Sequence, residues 1–255
     1  MGTSSSSRGP GSNSPLVPPW ADSEPNAPQL QPEGQRFREF RTQLGQFVSG
    51  GGSDGAKLRS ALGSYARKAT GGGTIGSRRF GAMASAGGAL FDAMAALRDG
   101  QDPNLPNVDL DTLNGRPTQV AIGMLVKALV PVNGDAERIR VALNDALSEA
   151  LVGQEEFDFN RITDDIIAET MIAYLTECIF EQVILDSRDA FAKARNAGQA
   201  DRAEKAMRVL VRAATDKHMA KLLTGNVRML NGRMVRDVQL HAIKDIWAEW
   251  EAYEK

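Results

Sequence analysis

From about residue 34 onward, apolar residues recur every three or four positions, the spacing that lays them along one face of an α-helix. Phe37, Phe40, Leu44 and Phe47 make a first stripe, and Leu58, Leu62 and Tyr65 a second. The two belong to an internal repeat, since RTQLGQF at 41–47 matches RSALGSY at 59–65 with an offset of 18 residues. Glycine clusters at 50–52 and 71–73 close the two copies, and Asp54 is placed to cap the second helix. The next helix is expected from Ser77 to about Arg98. Its small residues Gly81, Ala84, Gly87, Gly88 and Ala89 would let another helix come close. Residues 99–117 read as a loop with a short turn at Asp109–Leu113.

Further along, Thr118–Val130 reads as a helix stopped by Pro131, and Asp135 is expected to cap a helix reaching about Val152. Thr163 should cap a long helix to about Asn196, ended by Gly198. Its middle, Ile166 to Leu185, is apolar nearly all round, which marks it as the central helix. Helices over Gln199–Leu223 and Val235–Tyr253 complete the set. In the last, Leu240, Ile243, Trp247 and Trp250 form a stripe for the core. The expected fold class is all-α, a multi-helix bundle-like body preceded by an extended N-terminal tail. Three segments follow: the tail at 1–33, a glycine-punctuated helical region at 34–100, and a helical core at 101–255. Residues 34–255 can also be read as one domain.

The tail breaks the pattern. Residues 1–33 are rich in Ser, Gly and Pro and carry charge only at Arg8, Asp22, Glu24 and Glu33. Such a segment buries too little apolar surface to offset the entropy of ordering it. It nonetheless contains an apolar cluster, Leu16, Val17 and Trp20, stiffened by Pro15, Pro18 and Pro19. Stiffening before binding lowers the entropy lost on docking, so the cluster reads as a plug for a groove on a partner. Removal of Met1 would leave a free glycine amine at Gly2. The first six residues also fit the loose myristoylation pattern, but no basic tract follows to reinforce it.

Composition narrows the chemistry. The 255 residues carry a net charge of −2, which gives no global field for nucleic acid or acidic membranes. One cysteine and two histidines leave no disulfide framework, cysteine-zinc site or multi-histidine centre. Asp102, Asp109 and Asp111 lack the spacing of a calcium loop, and Glu169, Glu177 and Glu181 lack the histidines of a di-metal bundle. No metal site, cofactor or catalytic set emerges, and with neither a signal sequence nor a membrane-length apolar run the expectation is a cytoplasmic protein that is not an enzyme. The glycines at 71–73 are not followed by the lysine of a P-loop, although GGGTIGSRR could offer backbone amides and two arginines to an anion.

Charge is unevenly placed. Residues 34–79 hold nine Lys/Arg against two Asp/Glu, and residues 155–189 hold two against ten. Either the two regions attract one another, or Arg67, Lys68, Arg78 and Arg79 belong to a basic face that meets an anion or nucleic acid.

The opening residues Met1-Gly2-Thr3-Ser4, Gly9-Pro10-Gly11 and Pro15-Leu16-Val17-Pro18-Pro19-Trp20-Ala21 resemble the start of the QatB family of bacterial anti-phage proteins. Leu62-Gly63-x-Tyr65 and Gly71-Gly72 with Arg78-Arg79-Phe80-Gly81 are similar to that family's next block. The resemblance implies a four-component defence system whose other members are an ATPase, a QueC-like enzyme of 7-deazaguanine chemistry (the QatC type) and a TatD-like nuclease. It implies a non-enzymatic adaptor that binds the QueC-like enzyme through Gly2, Thr3, Pro15, Leu16, Val17, Pro18, Pro19 and Trp20. Gly2 would be the site of N-terminal modification. The alternative is an adaptor that presents DNA to the nuclease through the basic face.

Overall fold

The computed structural model describes residues 10–11, 14–223, 225 and 227–254. Among these are ten α-helices and no β-strand. The helices are α1 (Arg38–Ser49), α2 (Gly55–Ser64), α3 (Gly73–Arg78), α4 (Gly81–Arg98), α5 (Leu110–Leu113), α6 (Thr118–Leu129), α7 (Ala136–Ala150), α8 (Asp164–Ser187), α9 (Ala197–Leu223) and α10 (Gly232–Glu251). None of the described helices is long and apolar enough to cross a membrane.

Helix α8 lies at the centre, packed against α7, α9 and α4. Residues on every side of it are buried, from Ile167 and Met171 through Tyr174, Cys178 and Val183. Thr163 caps it, its hydroxyl accepting from the Ile166 amide at 3.2 Å. Helix α10 crosses α4 at very short range, because a Cβ on Gly88 would lie 2.4 Å from the Gly232 carbonyl oxygen. Gly88 thus offsets its propensity cost by letting two backbones meet, and Gly87 by making room for the Gln239 and Tyr174 side chains. The hydrophobic core runs continuously from Phe37 to Trp250. At its α10 end Trp247 and Trp250 stack with centroids 5.1 Å apart, and the Trp247 indole donates to Thr70 Oγ1 at 2.8 Å.

Several local expectations give way. The stretch from Ser77 to Arg98 is two helices, because α3 ends at Arg78 before α4 begins at Gly81. The helix after Thr163 ends at Ser187, where Arg188 takes φ +49°, and a 3-10 segment continues to Lys193. Gly198 ends nothing: it lies inside α9, and Asn196 accepts the Gln199 amide at 2.9 Å there. Asp135 does not cap α7, since its carboxylate turns to Trp20 and Arg138 instead. Helix α2 runs on into a π-helical turn, Tyr65–Ala69.

Candidate functional site

From Ser14 the N-terminal segment runs through a series of bends and turns, closed by bonds such as Ala21 N–H to the Pro18 carbonyl at 3.0 Å, and is seated on the chain's own body. Leu16, Val17 and Ala21 are buried. Two backbone bonds hold the segment to the α3–α4 junction, Ser23 N–H to the Arg78 carbonyl at 3.0 Å and Gly81 N–H to the Ala21 carbonyl at 2.8 Å. Gly81 is required here, since a Cβ would sit 2.6 Å from the Ala21 oxygen. Beneath the segment, Arg78 donates through Nε and Nη2 to Asp22 at 3.0 and 2.8 Å, and through Nη1 to the Pro28 carbonyl at 3.1 Å. Trp20 lies over Gly134 and its indole donates to Asp135 Oδ1 at 3.3 Å, yet 52% of the residue stays exposed.

At the root of the segment, arginines grip carbonyl groups. Arg36 donates to the Pro15 carbonyl at 3.2 Å. Arg41 and Arg188 both donate to the Pro10 carbonyl, at 3.1 and 2.9 Å. Arg41 also reaches the Asp186 carbonyl at 2.8 Å. Behind them the Asp186 carboxylate is fully buried and accepts from Arg79 and from the Tyr65 hydroxyl, each at 2.8 Å, and from Gln182 at 3.1 Å. Burial works against the Arg79 cation, but Asp186 outweighs it and holds the group firmly charged. Burial, then the nearby Arg188 cation, pulls Arg41 down to about 10.

This geometry corrects the expected contact residues. Leu16 and Val17 face the body and are not free to plug a partner's groove. Pro15, Pro19 and Trp20 remain exposed and Pro18 is partly so. Arg78 and Arg79 cannot form a basic face, because each is buried in a carboxylate pair. Lys68, on the π turn with Arg67, is paired with Glu39. The glycine cradle is filled from within, with Glu251 Oε1 accepting from the Gly73 amide at 2.8 Å. Gly2 and Thr3 lie outside the described residues. Asp22, Arg36, Arg41 and Asp186 carry the segment's attachment without having been singled out by sequence. Asp22 alone left a signal, as an acid in a stretch nearly devoid of charge.

Among the described residues, no group of three or more His, Cys, Asp or Glu is placed to hold a metal. His218 contacts Glu249 at 3.0 Å in a partly buried pair, and His241 contacts Asp245 at 3.4 Å at the surface. Cys178 is buried and its thiol is pushed up to about 12 by that burial. Glu169 and Glu177 pair with Arg212 and Arg208 of α9.

The family model described as Qat anti-phage system associated protein QatB matches residues 71–248, well over half of the chain. The chain belongs to the QatB family. It is therefore a component of a Qat anti-phage defence system, with partners to be sought within that system. QatB is described by its association with the system and not by an enzyme activity. The matched span holds Arg78, Gly81, Gly134, Asp135 and Asp186, the groups that receive the N-terminal segment, while residues 1–70 lie outside it. No curated protein and no solved structure matches the chain.

Proposed function

We propose that this QatB-family chain is a non-enzymatic adaptor that presents its N-terminus to the QueC-like enzyme of its system, which conjugates a deazaguanine-type acyl group to Gly2. In that reaction the partner activates a carboxylate as its adenylate. The neutral Gly2 amine attacks the acyl carbon, an amide forms, AMP leaves and the amine gives up a proton. An α-amino group is suited to this, with an ordinary pKa of about 7.7–8.0.

The observation that carries the reading is the anchoring of the segment from Pro10 onward. Arg41 and Arg188 fix the Pro10 carbonyl, and behind it Leu16, Val17 and Ala21 are buried and Asp22 is ion-paired. Gly2 is eight residues ahead of that anchor, and eight residues of extended chain reach at most about 26–29 Å. An amine on a tether of that length can enter a deep site while the body stays outside. The exposed Pro15, Pro19 and Trp20 beside the anchor offer a rigid apolar edge for the enzyme's rim. The ATPase and the TatD-like nuclease would then meet other surfaces of the helical body.

Intact-protein mass spectrometry of the chain co-expressed with the QueC-like partner tests the reading. The expected result is a single mass addition that maps to Gly2 and disappears when Gly2 is replaced by proline. An unmodified N-terminus under conditions where the partner is bound and active overturns it.

A further inference from the structure

Arg36 is only 4% exposed, and its guanidinium is poorly satisfied. Nη2 donates to the Pro15 carbonyl at 3.2 Å, but Nε and Nη1 have no hydrogen-bond partner. One N–H on Nε and two on Nη1 are thus unmet inside the protein, on a group that stays cationic. A buried cation in that condition costs far more than a surface arginine, and native structures seldom keep one without a ligand or water for it. The nearby carboxylate does not serve it, because the Asp186 oxygens are committed to Arg79, Tyr65 and Gln182.

The surroundings add to the demand for an anion. Arg36 and Arg41 both lie over the Phe37 ring, at 4.8 and 4.5 Å from its centroid. Positive charge is concentrated here, since Arg79 lies near enough to disfavour the Arg36 cation and Arg188 near enough to disfavour that of Arg41, with Asp186 as the counter-charge common to both. Beside Arg36 a groove of about 460 Å³ opens between the Gly34–Gln35 turn, α1 and the π turn. Gln35, Gln43 and Lys68 line it along with Arg36, and its acidic members are Glu33 and the Lys68-paired Glu39.

From these unmet donors, closed to solvent in this conformation, we infer that the groove beside them binds an oxyanion, with Arg36 turning its free edge into the groove as the main ligand. The class is a phosphate or carboxylate group, carried by a small molecule or free in solution. Because Arg36 also holds the Pro15 carbonyl, an anion drawn to its other face would reinforce the attachment of the N-terminal segment. The site is independent of whether Gly2 is modified.

The test is thermal unfolding of the full chain titrated with inorganic phosphate against sodium chloride at matched ionic strength. Phosphate should raise Tm saturably above the chloride series, and Arg36→Met should abolish that increment. Arg38→Met, on the exposed lip of the groove, should keep it. Arg36→Lys, which keeps a charge but not the array of N–H donors, should weaken the apparent affinity about tenfold. Acetate distinguishes the source: an effect equal to that of phosphate assigns the site to carboxylates, and a weaker one to phosphates. Equal Tm in phosphate and chloride overturns the inference, as does an unchanged increment in Arg36→Met. Should Arg36→Met fail to fold, wild-type affinity in Arg36→Lys overturns it instead.

Discussion

Asp22 and Arg78 meet edge to edge, with Oδ1 3.0 Å from Nε and Oδ2 2.8 Å from Nη2, and their side chains are 1% and 4% exposed. This contact joins a segment that looks unstructured by composition to the junction of two helices 56 residues away. It replaces hydration on both groups with charge-assisted bonds of good geometry, which is the condition under which a buried pair is tolerated.

Asp22→Asn should therefore destabilise the protein by about 3–5 kcal/mol, because Arg78 is left buried without its counter-charge. The hydrogen bonds from Arg78 outweigh burial and hold the Asp22 carboxyl below its ordinary value. A depressed carboxyl contributes stability that is present above the unfolded value, near about pH 4, and is lost as pH falls through the folded value. Urea unfolding between pH 6 and pH 2 should show the wild type losing more stability than Asp22→Asn across that window.

Truncation should divide the N-terminus in two. Removal of residues 2–9 should leave the melting temperature within about 2 °C of wild type. Removal of 2–28 strips off the buried Leu16, Val17 and Ala21 and deprives Arg78 of Asp22. Burying each larger apolar side chain contributes about 1.5–3 kcal/mol. At about 2–4 °C per kcal/mol for a chain of this size, a fall of at least about 10 °C is expected by calorimetry. Equal stability of the two truncations would contradict the seating of the segment.

Gly88→Ala tests the α4–α10 crossing. Alanine favours a helix by up to about 1 kcal/mol over glycine, so an unconstrained site would be stabilised. Here the new Cβ meets the Gly232 backbone oxygen at 2.4 Å, and backbone cannot swing aside. A net loss of about 1–3 kcal/mol is expected in chemical denaturation. Gly123→Ala, where nothing lies within 4 Å, serves as the matched control and should be neutral or stabilising.

Cys178 should be inert in the native state. It is fully buried on α8, and its thiol is held near 12, so almost no thiolate exists at neutral pH. A chromogenic disulfide reagent should titrate no thiol in native buffer and one thiol in denaturant. Prompt native reactivity would show that α8 opens readily.

Much of the helical body was legible because it depends on local signals. Thr163 and Asp54 are read as caps from their residue type alone, and both accept the expected amides. The apolar girth of α8 predicts a central helix, and the small residues of α4 predict a close neighbour. What escaped depends on distant partners. The apolar groups of residues 14–28 follow no helical or strand period, and the segment's attachment rests on Arg78, Gly81, Gly134 and Asp135, which no local window contains. The same blindness made Arg78 and Arg79 look like surface cations. Gly198 misled for a different reason: the chain breaks ten residues earlier at Arg188, a non-glycine residue at positive φ that no propensity favours.

The Trp20–Asp135 contact spans 115 residues, and this has a consequence for synthesis. On the ribosome, Leu16, Val17 and Trp20 emerge early, but the seat of Trp20 does not exist until Gly134 and Asp135 have followed. At roughly 5–20 residues per second that interval is on the order of ten seconds. Throughout it the nascent chain carries an unseated Trp20 within reach of chaperones or of a partner protein already waiting. An encounter with that partner before the seat exists would find the Trp20 indole not yet held by Asp135.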